Sequence, residues 1–420
     1  MEDSKNVLIS GFKVKHGCDT ALLKITDDIY SSIDASMCSL MVLLDFSKAF
    51  DTVHHKLLLT KLLSMGFDNN ALNWFGSYLG DRFQKVKCNG NVSDWDSLKN
   101  GVPQGSILGP LLFTILAADF RNSLKNMKFH QYADDLQTYI SSKLNNMDNT
   151  VNAINEDMEN ISQYSSRNGL KLNYEKCKYM VIGSRQNIAN FNKLNLPPIT
   201  LDNHILKRET KLKNLGVIFD EQMTWVKHIN KVVYRAYGSL RSLYRFKKLL
   251  SENAKKSLCE SLVLSHFNYC DTVFPFLNKS LDDKIQKVQN SCVRFISNLR
   301  KYDRDHISPY LINLEWLNMK NRRLHHSFTM LFKIDNNLAP SYLSNLITRN
   351  NNIHNYNTRA ANNFRTTRCR LTTRQNSFFV KIPLLFNQLP ETVKTSNTLF
   401  NFKKVCKNHL LKEQAGEILN

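Results

Sequence analysis

The chain has 420 residues, of which 42% are hydrophobic and 22% are charged, an ordinary composition for a globular protein with a substantial core. Its 57 Lys and Arg outnumber its 36 Asp and Glu, which gives a formal net charge of +21. This balance excludes an acidic solubilising protein and favours a polyanionic partner, either nucleic acid or an acidic membrane surface.

The charge is distributed unevenly along the chain. Residues 1–225 contain 25 basic and 24 acidic side chains, whereas residues 226–420 contain 32 basic and 12 acidic ones. We therefore expect the first half to carry chemistry and the second half to hold a polyanion.

Several protein classes are disfavoured by local features. No apolar run approaches the roughly 18 residues of a membrane span, and the first residues lack the pattern of a signal peptide. The nine cysteines are an odd number without a C-x-x-C pair, so neither a disulfide framework nor a zinc site is favoured. His266 and Cys270 have the spacing closest to that of a ligand pair. These features predict an intracellular protein with reduced cysteines and no membrane partner.

Apolar periodicity predicts the elements of the first half in chain order. The first thirty-odd residues have helical spacing, and residues 39–44 form a short apolar run that predicts a buried strand ending at Asp45. The pattern then predicts helices over residues 54–65 and 69–79, and a strand over residues 83–87.

A glycine- and proline-containing loop, residues 101–105, interrupts this pattern. The loop is followed by a predicted apolar helix over residues 107–120 and by a hairpin over residues 129–140, with Asp134 and Asp135 at its turn. The pattern then predicts an amphipathic helix over residues 148–167 and strands over residues 177–182 and 215–219. Strands and helices alternate without a regular βαβ rhythm, which favours an α+β fold.

The second half is predicted to be mainly helical. Residues 229–250, 253–264 and 281–299 have helical patterns rich in Lys and Arg, and residues 336–410 contain eleven basic residues with a single acidic one, Glu391. Asn-rich and Arg-Thr stretches predict loops in this last region.

Carboxylates at the ends of apolar strands suggest a shared site. Asp45 follows one buried strand, and Asp134 and Asp135 lie at the tip of an apolar hairpin. Because an unpaired buried charge is costly, converging carboxylates are best explained by divalent cations between them. Mg²⁺ prefers oxygen ligands, and two such ions about 4 Å apart can assist an in-line phosphoryl displacement.

Each motif alone also has a purely structural explanation. Asp45 could cap the helix that follows, Asp-Asp pairs are common at turns, and the loop with Pro103, Gln104 and Gly105 could be only a turn. The joint occurrence of the three motifs within ninety residues favours function.

Three segments resemble motifs A, B and C of reverse transcriptases, most closely those of non-LTR retrotransposons of the jockey and CR1 type. They are residues 43–53 (LLDFSKAFDTV), 101–110 (GVPQGSILGP) and 132–135 (YADD). Residues 169–176 resemble motif D, residues 215–217 (LGV) the primer-grip strand of motif E, and residues 386–390 (FNQLP) a signature near the end of such reading frames.

The resemblance implies an α+β right-hand polymerase. We expect a remnant of the fingers over residues 1–36, a palm with an antiparallel sheet and packed helices over 37–225, a helical thumb over 226–335, and a basic C-terminal region over 336–420.

The resemblance also implies roles for the acidic residues. Asp45, Asp134 and Asp135 would bind two catalytic Mg²⁺ ions, for which Mn²⁺ can substitute, and the backbone carbonyl of Phe46 would assist. Lys176 is a candidate proton donor to the leaving pyrophosphate, although a solvated lysine fits its sequence context equally well.

Other positions are implied to contact the substrates. Phe50 would be the steric gate that excludes the 2′-OH of a ribonucleotide, with core packing as its alternative role. Gln104 and Gly105 would lie against the incoming nucleotide and template, because a glycine lets the backbone approach a ligand closely. Tyr132 would pack beside the primer end, and the residues Leu215 and Gly216 would form the primer grip.

The chain departs from the family pattern at its beginning. Residues 9–16 (ISGFKVKH) resemble only the last fingers motif, and no endonuclease precedes them, so we expect a truncated copy. Three functions are then possible. The first is an RNA-directed DNA polymerase, whose partners would be an RNA template with a DNA primer, or an RNA–DNA hybrid, and deoxynucleoside triphosphates. The second is an inactive relic that only binds nucleic acid, and the third is an enzyme of another class, such as a different two-carboxylate nucleotidyltransferase. The coupling of the YADD hairpin to the Pro-Gln-Gly loop argues against the third.

Overall fold

The structure is a computed structural model that describes residues 9–299, 306–352 and 361–419, with side chains up to 416. The chain forms two compact units. Of the described residues, the first contains 9–16 and 36–210, and the second contains 17–35 and those from 211 onwards. The four functional ranges expected from the sequence remain predictions, and these units have different boundaries.

The strands are short, and most belong to hairpins. In chain order they are β1 (Ile9–Ser10), β2 (Cys38–Leu44), β3 (Phe83–Gln84), β4 (Lys87–Cys88), β5 (Asn91–Val92), β6 (Asp96–Ser97), β7 (Lys128–Tyr132), β8 (Asp135–Ser142), β9 (Lys178–Ile182), β10 (Thr200–Leu201), β11 (His204–Ile205), β12 (Lys207–Arg208), β13 (Lys211–Asn214) and β14 (Val217–Asp220).

Helices make up most of the remaining structure. They are α1 (Cys18–Asp34), α2 (His55–Ser64), α3 (Asn69–Leu79), α4 (Leu108–Leu116), α5 (Met147–Arg167), α6 (Arg185–Phe191), α7 (Val226–Tyr244), α8 (Glu252–Leu258), α9 (Ser265–Asn268), α10 (Lys279–Ile296), α11 (Ser308–Asn313), α12 (Met319–Asp335), α13 (Ser341–Ser344), α14 (Thr372–Gln375), α15 (Phe378–Asn387), α16 (Glu391–Lys394) and α17 (Leu399–Leu419). Short 3₁₀ turns and one π-helical segment, Cys259–Leu264, complete them.

The first unit is built on a six-stranded sheet in the order β1-β7-β8-β2-β9-β12. Its four central strands are antiparallel, as predicted from the resemblance. Its two edge strands are not: β1 runs parallel to β7 and β12 runs parallel to β9. The sheet is therefore antiparallel in its centre, as predicted, and parallel at its edges, where two-residue strands reach it by long connections rather than by hairpins.

The core of this unit follows from the apolar patterns. β2 is a continuous apolar run because both of its faces are covered, and six of its seven residues are buried. The amphipathic helix α5 contributes Val151, Ile154 and Met158 to the same core. It ends at Arg167 and is followed by its cap Asn168 and by Gly169, which has a φ of +67°. The α+β class predicted from the sequence is confirmed.

The helix α1 packs with the second unit, although the sequence interpretation assigned residues 1–36 to a fingers remnant. Asp27 forms an ion pair with Arg374, and the hydroxyl of Tyr30 accepts a hydrogen bond from Trp225 Nε1 at 3.0 Å. Since α1 buries most of its residues, its apolar stripe requires a large covering surface, which the helices of the second unit supply.

The second unit is mainly helical, in agreement with the sequence patterns. The first predicted basic helix ends at Tyr244 rather than 250, and the second continues as the π-helical segment. The last part contains the helices α13–α17, and the Arg-Thr stretch 365–368 forms a loop, as predicted, whereas Asn350–Asn352 forms a 3₁₀ turn. Residues 353–360 lie outside the described part of the chain. In the described ranges, no helix is both long enough and apolar enough to traverse a bilayer.

Candidate active site

Asp45 and Asp135 lie at the same end of the central strands. The antiparallel pairing of β2 with β8 runs to Leu44 opposite Leu136, so Asp45 directly follows the last pair and Asp135 directly precedes it. Cα atoms of opposed residues in such a ladder are about 5 Å apart. The strand register alone therefore brings these two carboxylates to one edge of the sheet.

Asp134 joins this edge through the turn between β7 and β8. Tyr132 pairs with Asp135, so only Ala133 and Asp134 form the turn. Ala133 has a φ of +55°, an unusual conformation for a residue with a Cβ. Its N–H donates to the carbonyl of Ser10 at 3.1 Å, and Gln131 Nε2 donates to its carbonyl at 2.9 Å. These bonds hold the turn in place, and Tyr132 is half-buried beside it.

Gly11 allows the chain after β1 to contact this turn. It has a φ of +91°, and a Cβ added there would lie 2.7 Å from the backbone nitrogen of Ala133. Only glycine fits this contact without movement of the backbone. The segment that resembles the last fingers motif therefore supports the acidic hairpin, a role that the sequence interpretation did not assign to it.

The loop that resembles motif D attaches directly to the end of β2. Phe46 forms an antiparallel bridge with Leu172, Ser47 N–H donates to the carbonyl of Lys171 at 2.7 Å, and Asn173 N–H donates to the carbonyl of Asp45 at 2.9 Å. This pairing places the following residues beside the Asp45 side chain.

Lys176 is brought to Asp45 by this pairing. Its Nζ lies 3.3 Å from Asp45 Oδ2, while 67% of its side chain remains exposed. An exposed ion pair of this kind contributes little to stability. Its position beside the acidic cluster is consistent with a role in proton transfer.

Asp45 presents an oxygen suited to a cation. Its Oδ2 is buried and accepts no hydrogen bond from any residue that the structure describes, although it forms the ion pair with Lys176. A carboxylate oxygen in this state fits the requirements of a divalent cation. Within the described ranges, however, no three acidic, His or Cys side chains are already arranged around a metal position.

The loop that resembles motif B is bonded to the turn after β2. Val102 N–H donates to the carbonyl of Phe50 at 2.9 Å, and Gly101 N–H donates to that of Val53 at 2.8 Å. Gln104 Nε2 donates to Asp51 Oδ1 at 2.8 Å. These three bonds join the segments of motifs A and B, and they identify Asp51 as a partner of Gln104 that the sequence did not reveal.

Gly105 lies in open space at the surface of this loop. It has a φ of +81°, and no atom lies within 4 Å of the position that its Cβ would occupy. Gln104 and Gly105 are both exposed. The loop therefore offers an open backbone surface next to Gln104.

Phe50 is half-buried against the core. The centroid of its ring lies 4.7 Å from that of Phe113 in α4, at an angle of 40°. This contact fixes the ring and leaves part of it accessible. Both roles considered for Phe50, core packing and sugar discrimination, are compatible with this position.

Leu215 and Gly216 belong to the second unit, whereas the other predicted site residues lie in the first. They form the two-residue turn between β13 and β14, with φ values of +42° and +84°. The hydroxyl of Tyr269 donates to the carbonyl of Leu215 at 2.9 Å, and its ring fills the space where a Cβ of Gly216 would lie. The predicted primer-grip strand is thus a tight hairpin that requires glycine.

Comparisons with known proteins identify the family of this chain. Residues 8–219 match the family model for reverse transcriptase (RNA-dependent DNA polymerase). The probable RNA-directed DNA polymerase from transposon BS of Drosophila melanogaster is 27% identical over 304 residues, which are 70% of this chain and 33% of that protein. The polymerase from the mobile element jockey of the same species is 25% identical over 304 residues, 70% of this chain and 32% of that protein.

The chain spans about a third of the length of these curated relatives. Among solved structures, an apo telomerase from Candida tropicalis is similar with a TM-score of 0.39 and 12% identity, over 76% of this chain and 52% of that one. A telomerase from Candida albicans in complex with a TWJ fragment of telomeric RNA has a TM-score of 0.35 and 14% identity, over 77% and 54%.

The family match covers the sheet, the acidic hairpin and the loops around them, and the relatives are polymerases of mobile elements, as the resemblance predicted. The chain belongs to the reverse transcriptase (RNA-dependent DNA polymerase) family.

Proposed function

We propose that this chain is the polymerase part of a non-LTR retrotransposon reverse transcriptase, which adds deoxynucleotides to the 3′-OH of a primer on an RNA template. The observation that carries the proposal is the register of β2 and β8, which brings Asp45 and Asp135 to the end of the sheet where Asp134 forms the turn. The likeness to polymerases of mobile elements supports the choice of substrate class.

Asp45, Asp134, Asp135 and the carbonyl of Phe46 would hold the divalent cations, Mg²⁺ or Mn²⁺. The buried Oδ2 of Asp45, which accepts no hydrogen bond from the described residues, supports this assignment. When bound, such ions neutralise charge on the transferring phosphoryl group and on the attacking and leaving oxygens. Because Mg²⁺ is often held by one or two carboxylates together with substrate phosphates, the site would be completed by the nucleotide.

The surrounding residues would position the nucleotide. Gln104, held by Asp51, and the open backbone of Gly105 would lie against the base pair, while the ring of Phe50 would exclude a ribose 2′-OH. Lys176 would donate a proton to the pyrophosphate as it leaves, since its ammonium group is exposed and close to Asp45.

The second unit would hold the primer–template duplex. Helix α7 contains no acidic residue and exposes Lys231, Arg235 and Arg241 on its surface. Contacts from such side chains to phosphates give binding without sequence preference, which a polymerase requires. The hairpin of Leu215 and Gly216, in the same unit, would contact the primer strand. The intracellular location expected from the cysteine pattern stays a prediction.

Primer extension tests the proposal. The purified chain is incubated with an RNA template, an annealed DNA primer, deoxynucleoside triphosphates and Mg²⁺ or Mn²⁺, and the Asp134→Asn, Asp135→Asn double variant serves as the control. We expect incorporation that the double variant loses. If neither protein extends the primer while both bind the duplex in a salt-sensitive way, the chain is a nucleic-acid-binding relic instead.

A further inference from the structure

The segment between the motif A and motif B regions forms an exposed ribbon, residues 82–99, without any buried residue. It consists of the pairs β3–β6 and β4–β5. Phe83 and Trp95 have 60% and 65% of their surface exposed, and Val86 and Val92 have 66% and 49%. A two-stranded hairpin is at best marginally stable in water by itself. Contiguous exposed apolar surface on a soluble protein marks an interaction site, so this ribbon is a candidate binding surface.

The strand register separates the side chains of the ribbon onto two faces. Phe83 pairs with Ser97, and Gln84 pairs with Asp96. Since side chains alternate along a strand, Lys85 and Trp95 share the face of Phe83, whereas Asp96 lies on the opposite face. One face of the ribbon therefore combines two aromatic rings with a lysine.

A bulge brings the lysine over the larger ring. Val86 N–H donates to Ser93 Oγ at 2.9 Å, and Ser93 N–H donates to the carbonyl of Val86 at 2.9 Å. Compared with the pairing of Gln84 with Asp96, this leaves Lys85 opposite two residues, Asp94 and Trp95. The Nζ of Lys85 lies 4.6 Å from the centroid of the Trp95 ring.

The charge of the ribbon is positive overall. Residues 82–99 contain four basic residues and two acidic ones. Arg82 and Lys99 lie at its base and Lys87 lies in β4. A positive groove beside aromatic rings is the combination with which proteins hold unpaired nucleotides.

We propose that the face of Phe83, Lys85 and Trp95 binds single-stranded nucleic acid, with bases stacked on Phe83 and on the side of the Trp95 ring that Lys85 does not cover, and with a phosphate close to Lys85. A base-paired duplex does not present the faces of its bases, so the surface favours unpaired strands. Asp96 lies on the face opposite the rings, whereas Asp94 lies next to Trp95 and opposite Lys85, so one carboxylate remains beside this face.

The ribbon is continuous with the site described above. Leu98 N–H closes its base by donating to the carbonyl of Arg82 at 2.8 Å, and the chain then enters the loop of Gly101 and Gln104. That the bound strand is the unpaired part of a template rests on the proposed function. Binding itself does not, because it requires neither the acidic cluster nor nucleotide addition.

The test is the affinity of the full chain for a fluorescein-labelled 20-nucleotide oligo(dT), measured by anisotropy, with a duplex of the same length as the second probe. Since stacking of one base on an aromatic ring is worth a factor of about 5 to 150, we expect Trp95→Ala to weaken oligo(dT) binding at least about fivefold. We expect it to change duplex binding by less than about twofold, and Trp95→Tyr to retain most of the affinity.

Trp74→Ala is the matched control. Trp74 is 55% exposed in the same unit, but it is on helix α3, stacked on Tyr78 at 5.5 Å, away from the paired strands of the ribbon. Lys85→Gln should lower the slope of log affinity against log salt by about 0.7 for the single strand. Lys193→Gln, which removes an exposed lysine after α6, controls for the loss of charge.

The results separate this proposal from the polymerase proposal. Equal effects of Trp95→Ala and Trp74→Ala, or equal losses for single strand and duplex, would overturn the ribbon as a single-strand site. The Asp134→Asn, Asp135→Asn variant should bind oligo(dT) like the unaltered chain. Because no residue of the ribbon is buried, Trp95→Ala should fold; Phe83→Ala, which should show the same selective loss, gives an independent measurement.

Discussion

The Nζ of Lys176 lies 3.3 Å from Oδ2 of Asp45, an oxygen that accepts no hydrogen bond from the described residues. The two residues belong to different motifs, which the bridge between Phe46 and Leu172 joins. The lysine is thus a cationic neighbour of Asp45, and under the proposed function its charge would offset the negative charge on a leaving pyrophosphate.

Substitution of Lys176 by Met should lower kcat for nucleotide addition about 100-fold or more, since general acid catalysis contributes about 10² to 10⁴. Thermal stability should change little, because the ion pair is exposed. Single-turnover primer extension over a range of pH measures the effect. Loss of the basic limb of the pH profile in the variant would support proton donation.

Lys171→Met is the control for this prediction, because Lys171 is exposed in the same loop and holds Ser47 through its backbone carbonyl. Equal rates for the Lys171 and Lys176 variants would show that Lys176 is only a solvated lysine.

Substitution of Phe50 by Val should admit ribonucleotides. The smaller side chain removes the flat ring that would oppose a 2′-OH, so we expect the ratio of kcat/KM for deoxy- over ribonucleotides to fall about tenfold or more. The Phe113→Leu variant should lose stability without this change in selectivity, because Phe113 is buried behind Phe50. If both variants retain full discrimination, Phe50 serves in core packing alone.

Substitution of Gly11 by Ala should impair both stability and activity. The added Cβ would lie 2.7 Å from the backbone nitrogen of Ala133, at a φ of +91° that disfavours alanine. We expect a loss of about 1–3 kcal/mol in the free energy of unfolding, together with reduced nucleotide addition because the acidic turn must shift.

Gly66→Ala separates backbone strain from the clash. Gly66 has a φ of +92°, but nothing lies within 4 Å of its Cβ position. Urea unfolding of the two variants should show the smaller loss for Gly66→Ala, with unchanged primer extension. A Gly11→Ala enzyme with normal activity would contradict the supporting role of Gly11.

The stability of the second unit should decrease in mild acid because of His228. Burial, and then the nearby charges of Lys231 and Arg235, lower the pKa of His228 to about 4. Its Nδ1 accepts a hydrogen bond from Ile218 N–H at 3.3 Å, which requires the neutral ring. Protons therefore bind the unfolded chain more tightly than the folded one between pH 6.5 and 4.

The neutral His228 ring contributes its full share to the free energy of unfolding at pH 7. This contribution, at most about 3 kcal/mol, is lost as the pH falls from 6.5 to 4. The measurement is the midpoint of urea unfolding at pH 7.5 and at pH 4.5, with the circular dichroism of the helices as the signal. His228→Gln should flatten part of this dependence. His325, whose pKa burial also lowers to about 4, should still contribute in that variant.

Much of the palm was predictable because local patterns report burial directly. The apolar run before Asp45 predicted a strand covered on both faces, and the periodicity of Val151, Ile154 and Met158 predicted an amphipathic helix, and both elements form. The hairpin with Asp134 at its turn follows from two short apolar runs around turn-forming residues.

Contacts between distant segments were decided by the tertiary structure. The sequence gives no sign that α1 packs with the second unit, because its apolar stripe shows that a face is covered and not which surface covers it. The parallel edge strands are also two residues long, too short for a periodic signal.

The same division holds within the candidate site. The motifs around Asp45, Asp134 and Asp135 were visible in the sequence and predicted that these three carboxylates bind metal ions. The approach of Lys176 to Asp45, the bond from Gln104 to Asp51 and the contact of Gly11 with Ala133 depend on strand register and loop docking. These are long-range pairings, which side-chain patterns along one segment do not encode.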